Sequence, residues 1–183
     1  MGSEMCIRDS DTSDIIIYQI TGAASDIQNI LVENNSFGSI KNPGHGVSIG
    51  GQACAADIPS NVIVQNNTFT TSNTADVNCV GGKKAGTFRN NLLASNDSGF
   101  ACRNNLAFDY NIFASGGCGT HPKVCSPSWV DPGHANGNVD LAISDTCAKD
   151  TIPTGTASPL TDMHGATRPL GSGIDAGADE AGP

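Results

Sequence analysis

The chain is short of positive charge, of aromatic residues and of long apolar runs. Nine Lys and Arg stand against 18 Asp and Glu, a net charge of −9. Such a surface repels a phosphate backbone instead of releasing its counterions, which argues against nucleic acid as a partner. No apolar stretch approaches the ~20 residues of a membrane-crossing helix, so no membrane insertion is expected. The first residues also lack the basic, apolar, small-residue order of an export signal. Strong helix formers never fall at i, i+3, i+4, i+7, which excludes long amphipathic helices. There is no CxxC pair and no Cys/His cluster at zinc-finger spacing, so no metal site is expected.

What is present suits a single soluble domain of strands and turns. The 183 residues are 38% hydrophobic and 15% charged, with 22 Gly, 9 Pro and many Asn. Seven cysteines occur; with Cys6 set aside, six remain (Cys54, Cys79, Cys102, Cys118, Cys125 and Cys147), an even number that suits disulfides in an oxidising compartment. Residues 1–10, MGSEMCIRDS, resemble sequencing-adapter read-through and are expected to be a non-native leader.

One pattern recurs. Asn29-Ile30-Leu31-Val32-Glu33-Asn34-Asn35-Ser36-Phe37 returns 32 residues later as Asn61-Val62-Ile63-Val64-Gln65-Asn66-Asn67-Thr68-Phe69. Weaker copies follow around Asn90-Asn91 and Tyr110-Asn111, with steps of 24 and then 20 residues. Set on one register, Asn35, Asn67, Asn91 and Asn111 form a column. Val32, Val64, Phe88 and Phe108 precede it, Phe37, Phe69, Leu93 and Phe113 follow it, and Glu33, Gln65, Arg89 and Asp109 lie between. Polar and apolar positions alternate as on a strand with one face in and one face out.

Helical repeats would need two helices per unit, and the Gly-, Asn- and Thr-rich spacers forbid them. A solenoid of short parallel strands accommodates the variable steps, because loops leave it sideways while like residues stack at about 4.8 Å. The Asn column then supplies sharp left-handed corners and a ladder of side-chain amides. Further strands are suggested at Val47–Gly51, Val77–Gly82 and Gly99–Cys102. Cys79 with Cys102 on adjacent turns, and Cys118 with Cys125 across a short loop, are two pairings among the 15 connectivities of six cysteines. Past Phe113 the pattern stops, leaving strand candidates at Ser128-Trp129-Val130 and Val139-Asp140-Leu141.

The tail, Asp162 to Glu180, carries D-x-x-G-x-x-R-P and then G-x-D-A-G-A with a final acidic residue. With the Asn repeats it resembles the C-terminal portion of bacterial right-handed parallel β-helix repeat proteins of the pectate-lyase-like fold. The Trp-Val-Asp-Pro run before it is similar to a segment often found upstream of that signature. The resemblance implies an all-β, right-handed parallel β-helix: four to five turns over residues 11–115, then an irregular C-terminal cap over 116–183 packed on the same helix. It implies an extracellular or cell-surface protein, often linked to polysaccharide, with its export signal upstream. A monomer is expected.

The outward column Glu33, Gln65, Arg89 and Asp109 is the expected ligand stripe. Family lyases use acidic calcium ligands and a basic residue, a part that Arg89 between acids would imitate; no calcium-binding Asp cluster accompanies it, so no cofactor is expected and calcium has no specific motif. The competing reading is a cross-strand ladder of charges worth about 0.2–1 kcal/mol per pair. Hydrolysis asks for two carboxylates about 5–9.5 Å apart, whereas Glu33 and Asp109 would stand about 14 Å apart at the strand spacing. His45, His121, His134 and His164 read as solvated loop residues with no acid spaced near them. Asp9, Asp11 and Asp14 lack the Gly and Glu of a calcium loop. Of the glycosylation-type sequences at Asn34, Asn66 and Asn96, the first two are accounted for by the corner column and read as structural. Arg168 is expected to pair with Asp162, Asp175 or Glu180 and close the end of the helix. The function expected is a scaffold segment without its own catalysis; a polysaccharide lyase or hydrolase, or an adhesin-like surface protein, are the alternatives.

Overall fold

The computed structural model describes residues 13–19, 28–37, 45–51, 60–70, 75–77, 86–94, 106–132 and 139–182. Among these there is no helix. The strands are β1 (Ser13–Gln19), β2 (Gln28–Glu33), β3 (Ser36–Phe37), β4 (His45–Gly51), β5 (Ser60–Gln65), β6 (Thr68–Phe69), β7 (Ala75–Val77), β8 (Gly86–Arg89), β9 (Leu92–Leu93), β10 (Leu106–Asp109), β11 (Ile112–Phe113) and β12 (Lys123–Val124).

All pairings between these strands are parallel, and they form three sheets: β1-β4-β7, β2-β5-β8-β10 and β3-β6-β9-β11-β12. The first three units of chain therefore each lay one strand into all three sheets, and among the described residues the fourth adds β10 and β11 to the second and third, each beside the equivalent strand of the previous unit. The columns read from sequence are the observed register: Val32↔Val64↔Phe88↔Phe108 and Glu33↔Gln65↔Arg89↔Asp109 in the second sheet, Phe37↔Phe69↔Leu93↔Phe113 in the third. Register is fixed this firmly because a one-residue slip would turn each apolar column outward. Gly86 allows β8 to dock, since a Cβ there would overlap the Val62 backbone carbonyl.

Both apolar columns are buried in one core. Phe37 stacks on Phe69 with ring centroids 4.8 Å apart, and Phe88 meets Phe108 at 5.3 Å. Each such side chain contributes about 1.5–3 kcal/mol.

The paired asparagines divide the work expected of one column. The left-handed corner falls on the first of each pair, Asn34, Asn66 and Asn90, with φ of 57°, 50° and 58°. In the fourth unit Tyr110 holds it, at 49°. The second of each pair turns inward and builds the ladder. Asn67 Oδ1 accepts from both the backbone N–H and the side-chain amide of Asn35, Asn91 Oδ1 does the same for Asn67, and Asn111 Oδ1 for Asn91, all at 3.0–3.1 Å. Their amide groups also donate to the carbonyls of Val32, Val64 and Phe88. Backbone carbonyls that the corners leave without strand partners are satisfied in this way.

Stacking continues beyond Phe113, where the sequence pattern had ended. Thr120 bridges in parallel to Asp109, and β12 pairs with β11. Trp129 and Leu141 make an isolated antiparallel bridge, not full strands. The remaining chain lies along the flank, on the outer face of the third sheet, where Leu92 and Ile112 point away from the first core and meet Leu141, Cys147, Ala148, Ile152, Ile174 and Ala176 in a second. Its path crosses the corners of three units in reverse order: the side-chain amide of Asn90 donates to the Ala157 carbonyl, Ser158 Oγ donates to Asn66 Oδ1, and the side-chain amide of Asn34 donates to the Thr161 carbonyl. Gly177, at φ 100°, brings the tail so close that a Cβ would lie 2.6 Å from Thr68 Oγ1.

Cys125 pairs with Cys147, 22 residues on, and not with Cys118, which is bonded elsewhere. The expected short loop gives way because Cys125 follows β12 directly and faces the second core, whereas Cys118 packs against the first. Cys79 and Cys102 lie outside the described residues. Closing a loop of this length stabilises by about 3 kcal/mol. Replacing both Cys125 and Cys147 by Ala should lower the urea-unfolding free energy by about that amount.

Candidate functional site

The polar column of the second sheet is a chain of hydrogen bonds between units. Gln65 Nε2 donates to Glu33 Oε2 at 2.6 Å, and Arg89 donates to Gln65 Oε1 from Nε at 2.9 Å and from Nη2 at 2.6 Å. Gln65 is only 6% exposed, whereas Glu33, Arg89 and Asp109 are half-buried. Its two carboxylates stand at opposite ends, with Gln65 and Arg89 between them in register. At about 4.8 Å per step this is about 14 Å, beyond the reach of a glycosidase pair.

Asp109 ends the column against a residue from the next unit: its Oδ1 lies 2.9 Å from His121 Nδ1, and the His121 ring stacks on Tyr110 at 4.4 Å. His121 therefore has the acid partner that spacing alone did not disclose. So does His164, whose Nε2 lies 2.7 Å from Asp140 Oδ1 and 3.8 Å from Asp179 Oδ1. Asp140, His164 and Asp179 bring one ligand atom each within 4.8 Å of one another. No spacing in the sequence points to this group, because its members belong to three distant segments; the tail signature is the nearest signal, since it holds two of them.

Under that group lies the tail's buried anchor. Arg168 Nη1 donates to Glu180 Oε2 at 2.8 Å and to the Asp175 carbonyl at 3.0 Å, while Nη2 donates to the Gly177 carbonyl at 2.9 Å. Glu180 also accepts the backbone N–H groups of Leu170 and Asp175. Of the acids expected to pair with Arg168, Glu180 makes the ion pair. Asp162 instead receives the N–H groups of His164, Ala166 and Glu180, and Asp175 those of Asp150 and Ala181.

Burial raises the carboxyl groups of Asp175, Asp179 and Glu180, with Asp175 reaching about 7. His164 is raised too, chiefly by its hydrogen bond to Asp140. In each case the folded chain holds a proton more tightly than the unfolded chain. The associated stability is complete below the unfolded value and is lost as pH rises through the folded one. For Asp175 that window runs from about 4 to about 7. Unfolding free energy should fall by about 2–4 kcal/mol across it, and Asp175→Asn should flatten the fall in a series of urea titrations.

The amides of Asn34 and Asn66 are engaged by the tail; Asn66, which donates to the Asp175 carbonyl, is fully buried. Asn96, His134, Asp57, Asp9 and Asp11 lie outside the described residues, and of Asp14, His45 and Asp76 only the backbone is described. No protein-family model, curated protein or solved structure matches this chain.

Proposed function

We propose that this chain is the C-terminal scaffold segment of a secreted or cell-surface protein, built as a right-handed, pectate-lyase-like parallel β-helix and associated with carbohydrate without catalysing its cleavage. Three successive units that each feed one strand to three parallel sheets, an internal Asn ladder and the tail signature all support the helix reading. The Cys125–Cys147 disulfide supports an oxidising compartment, and no described helix is long and apolar enough to span a membrane.

One observation carries the non-catalytic reading. The polar column uses its charges on itself: Arg89 is committed to Gln65 through two nitrogens, Gln65 to Glu33, and Asp109 to His121. A guanidinium held this way is a poor proton acceptor, and the carboxylates are too far apart to share a glycosidic bond.

The test is a paired screen of this chain on polyuronates and neutral glycans, reading product release and glycan-array binding. Retention of a glycan with no product is expected. Cleavage that disappears in Arg89→Ala would replace this reading with that of a lyase, and absence of any glycan binding would remove the carbohydrate association.

A further inference from the structure

We infer that Asp140, His164 and Asp179 form a binding site for a single divalent cation of the zinc class on the flank of the tail. Three segments meet there: Asp140 comes from the stretch before the Leu141 bridge, His164 from the turn after Asp162, and Asp179 from the final run. A tetrahedral cation with ligands at about 2.0–2.1 Å keeps neighbouring ligand atoms about 3.3 Å apart. The two distances from His164 Nε2, 2.7 Å to Asp140 Oδ1 and 3.8 Å to Asp179 Oδ1, lie on either side of that value, and all three ligand atoms fall within 4.8 Å of one another.

The floor of the site is buried and its mouth is open. The Asp179 side chain is 9% exposed, that of Asp140 34% and that of His164 54%. Asp179 Oδ2 accepts the Leu141 backbone N–H at 2.8 Å, which fixes the carboxylate with Oδ1 turned toward His164. At 3.8 Å that buried oxygen is beyond hydrogen-bond reach of Nε2 but within ion-pair distance, so the carboxylate faces the imidazole across the site. The backbone that carries His164 is held as well: the His164 backbone N–H donates to Asp162 Oδ1 at 2.8 Å, and the Met163 N–H donates to the Ala178 carbonyl at 2.9 Å. Ligands oriented by such outer contacts are what a metal site requires.

The donor set selects the cation. One imidazole and two carboxylates suit zinc and its borderline neighbours, whereas calcium takes six to eight oxygens. With three protein ligands, a fourth position faces solvent at the open mouth.

Isothermal titration of zinc and calcium chlorides into the disulfide-intact, EDTA-stripped chain tests this. One zinc per chain is expected, with calcium at least ~100-fold weaker, and His164→Gln and Asp140→Asn should each weaken zinc by ~10-fold or more. Both replaced side chains are partly exposed, so melting without metal should be close to that of the wild type, and zinc should raise the melting temperature of the wild type more than that of either variant. Absence of zinc binding, or zinc binding unchanged in His164→Gln, overturns the assignment.

Discussion

Replacing Arg168 by alanine should lower the unfolding free energy by about 3–5 kcal/mol, the loss expected when one partner of a buried ion pair is removed. Glu180 would remain in a dry site with its countercharge gone, and the carbonyls of Asp175 and Gly177 would lose their donor together. Arg168→Lys should recover little of this, because a single ammonium cannot reach acceptors arranged around a planar guanidinium. Urea unfolding gives the magnitude. Limited proteolysis gives the place: cleavage in the alanine variant should concentrate in residues 150–182, which the anchor holds against the third sheet.

Asn91→Ala should come close to the same loss, about 2–4 kcal/mol, through a different mechanism. Asn91 is fully buried and accepts from the backbone and the side chain of Asn67 while donating to the Val64 carbonyl and to Asn111. Its truncation leaves a buried N–H and a buried carbonyl without partners, at about 1–3 kcal/mol each. Asn34→Ala is the informative companion. Asn34 supplies a left-handed corner and one partly exposed bond to the tail, so its replacement should cost only about 1–2 kcal/mol, the strain of that conformation. Denaturation of both variants, side by side, checks the ranking.

That ranking depends on a distinction the sequence only half discloses. In the first three units both positions are Asn, so nothing in them separates the corner from the ladder. The fourth unit does: Tyr110 takes the corner while Asn111 keeps the ladder, which is the assignment the structure shows. The apolar columns were legible because they recur at fixed offsets from the paired asparagines, and period-two alternation admits one register. Leu92 and Ile112 carried a further signal. They occupy a position filled by Ser36 and Thr68 in the earlier units, and their change to apolar residues marks where the second core covers the third sheet.

The contacts that gather the candidate sites were not legible in the same way. Asp140, His164 and Asp179 meet only because the tail folds back along the flank, and no local pattern records that path. The same applies to Cys125, whose partner Cys147 is set by the second core and not by spacing. Gln65 was expected to face solvent by alternation alone; it is covered because Glu33 and Arg89 fold over it from both neighbouring units. Alternation gives the side of the sheet and says nothing of what long side chains do above it.

The stacked strands and the flanking tail are expected to open as one cooperative body, which native-state hydrogen exchange at single-amide resolution measures. The amides of Gly177 and Ala178, bonded to the Asn90 carbonyl and to Thr68 Oγ1, should exchange with the same opening free energy as those of Asn67 and Asn91, and Arg168→Ala should lower the tail values first. Tail amides that exchange orders of magnitude faster than the ladder amides in the wild-type chain would contradict the account.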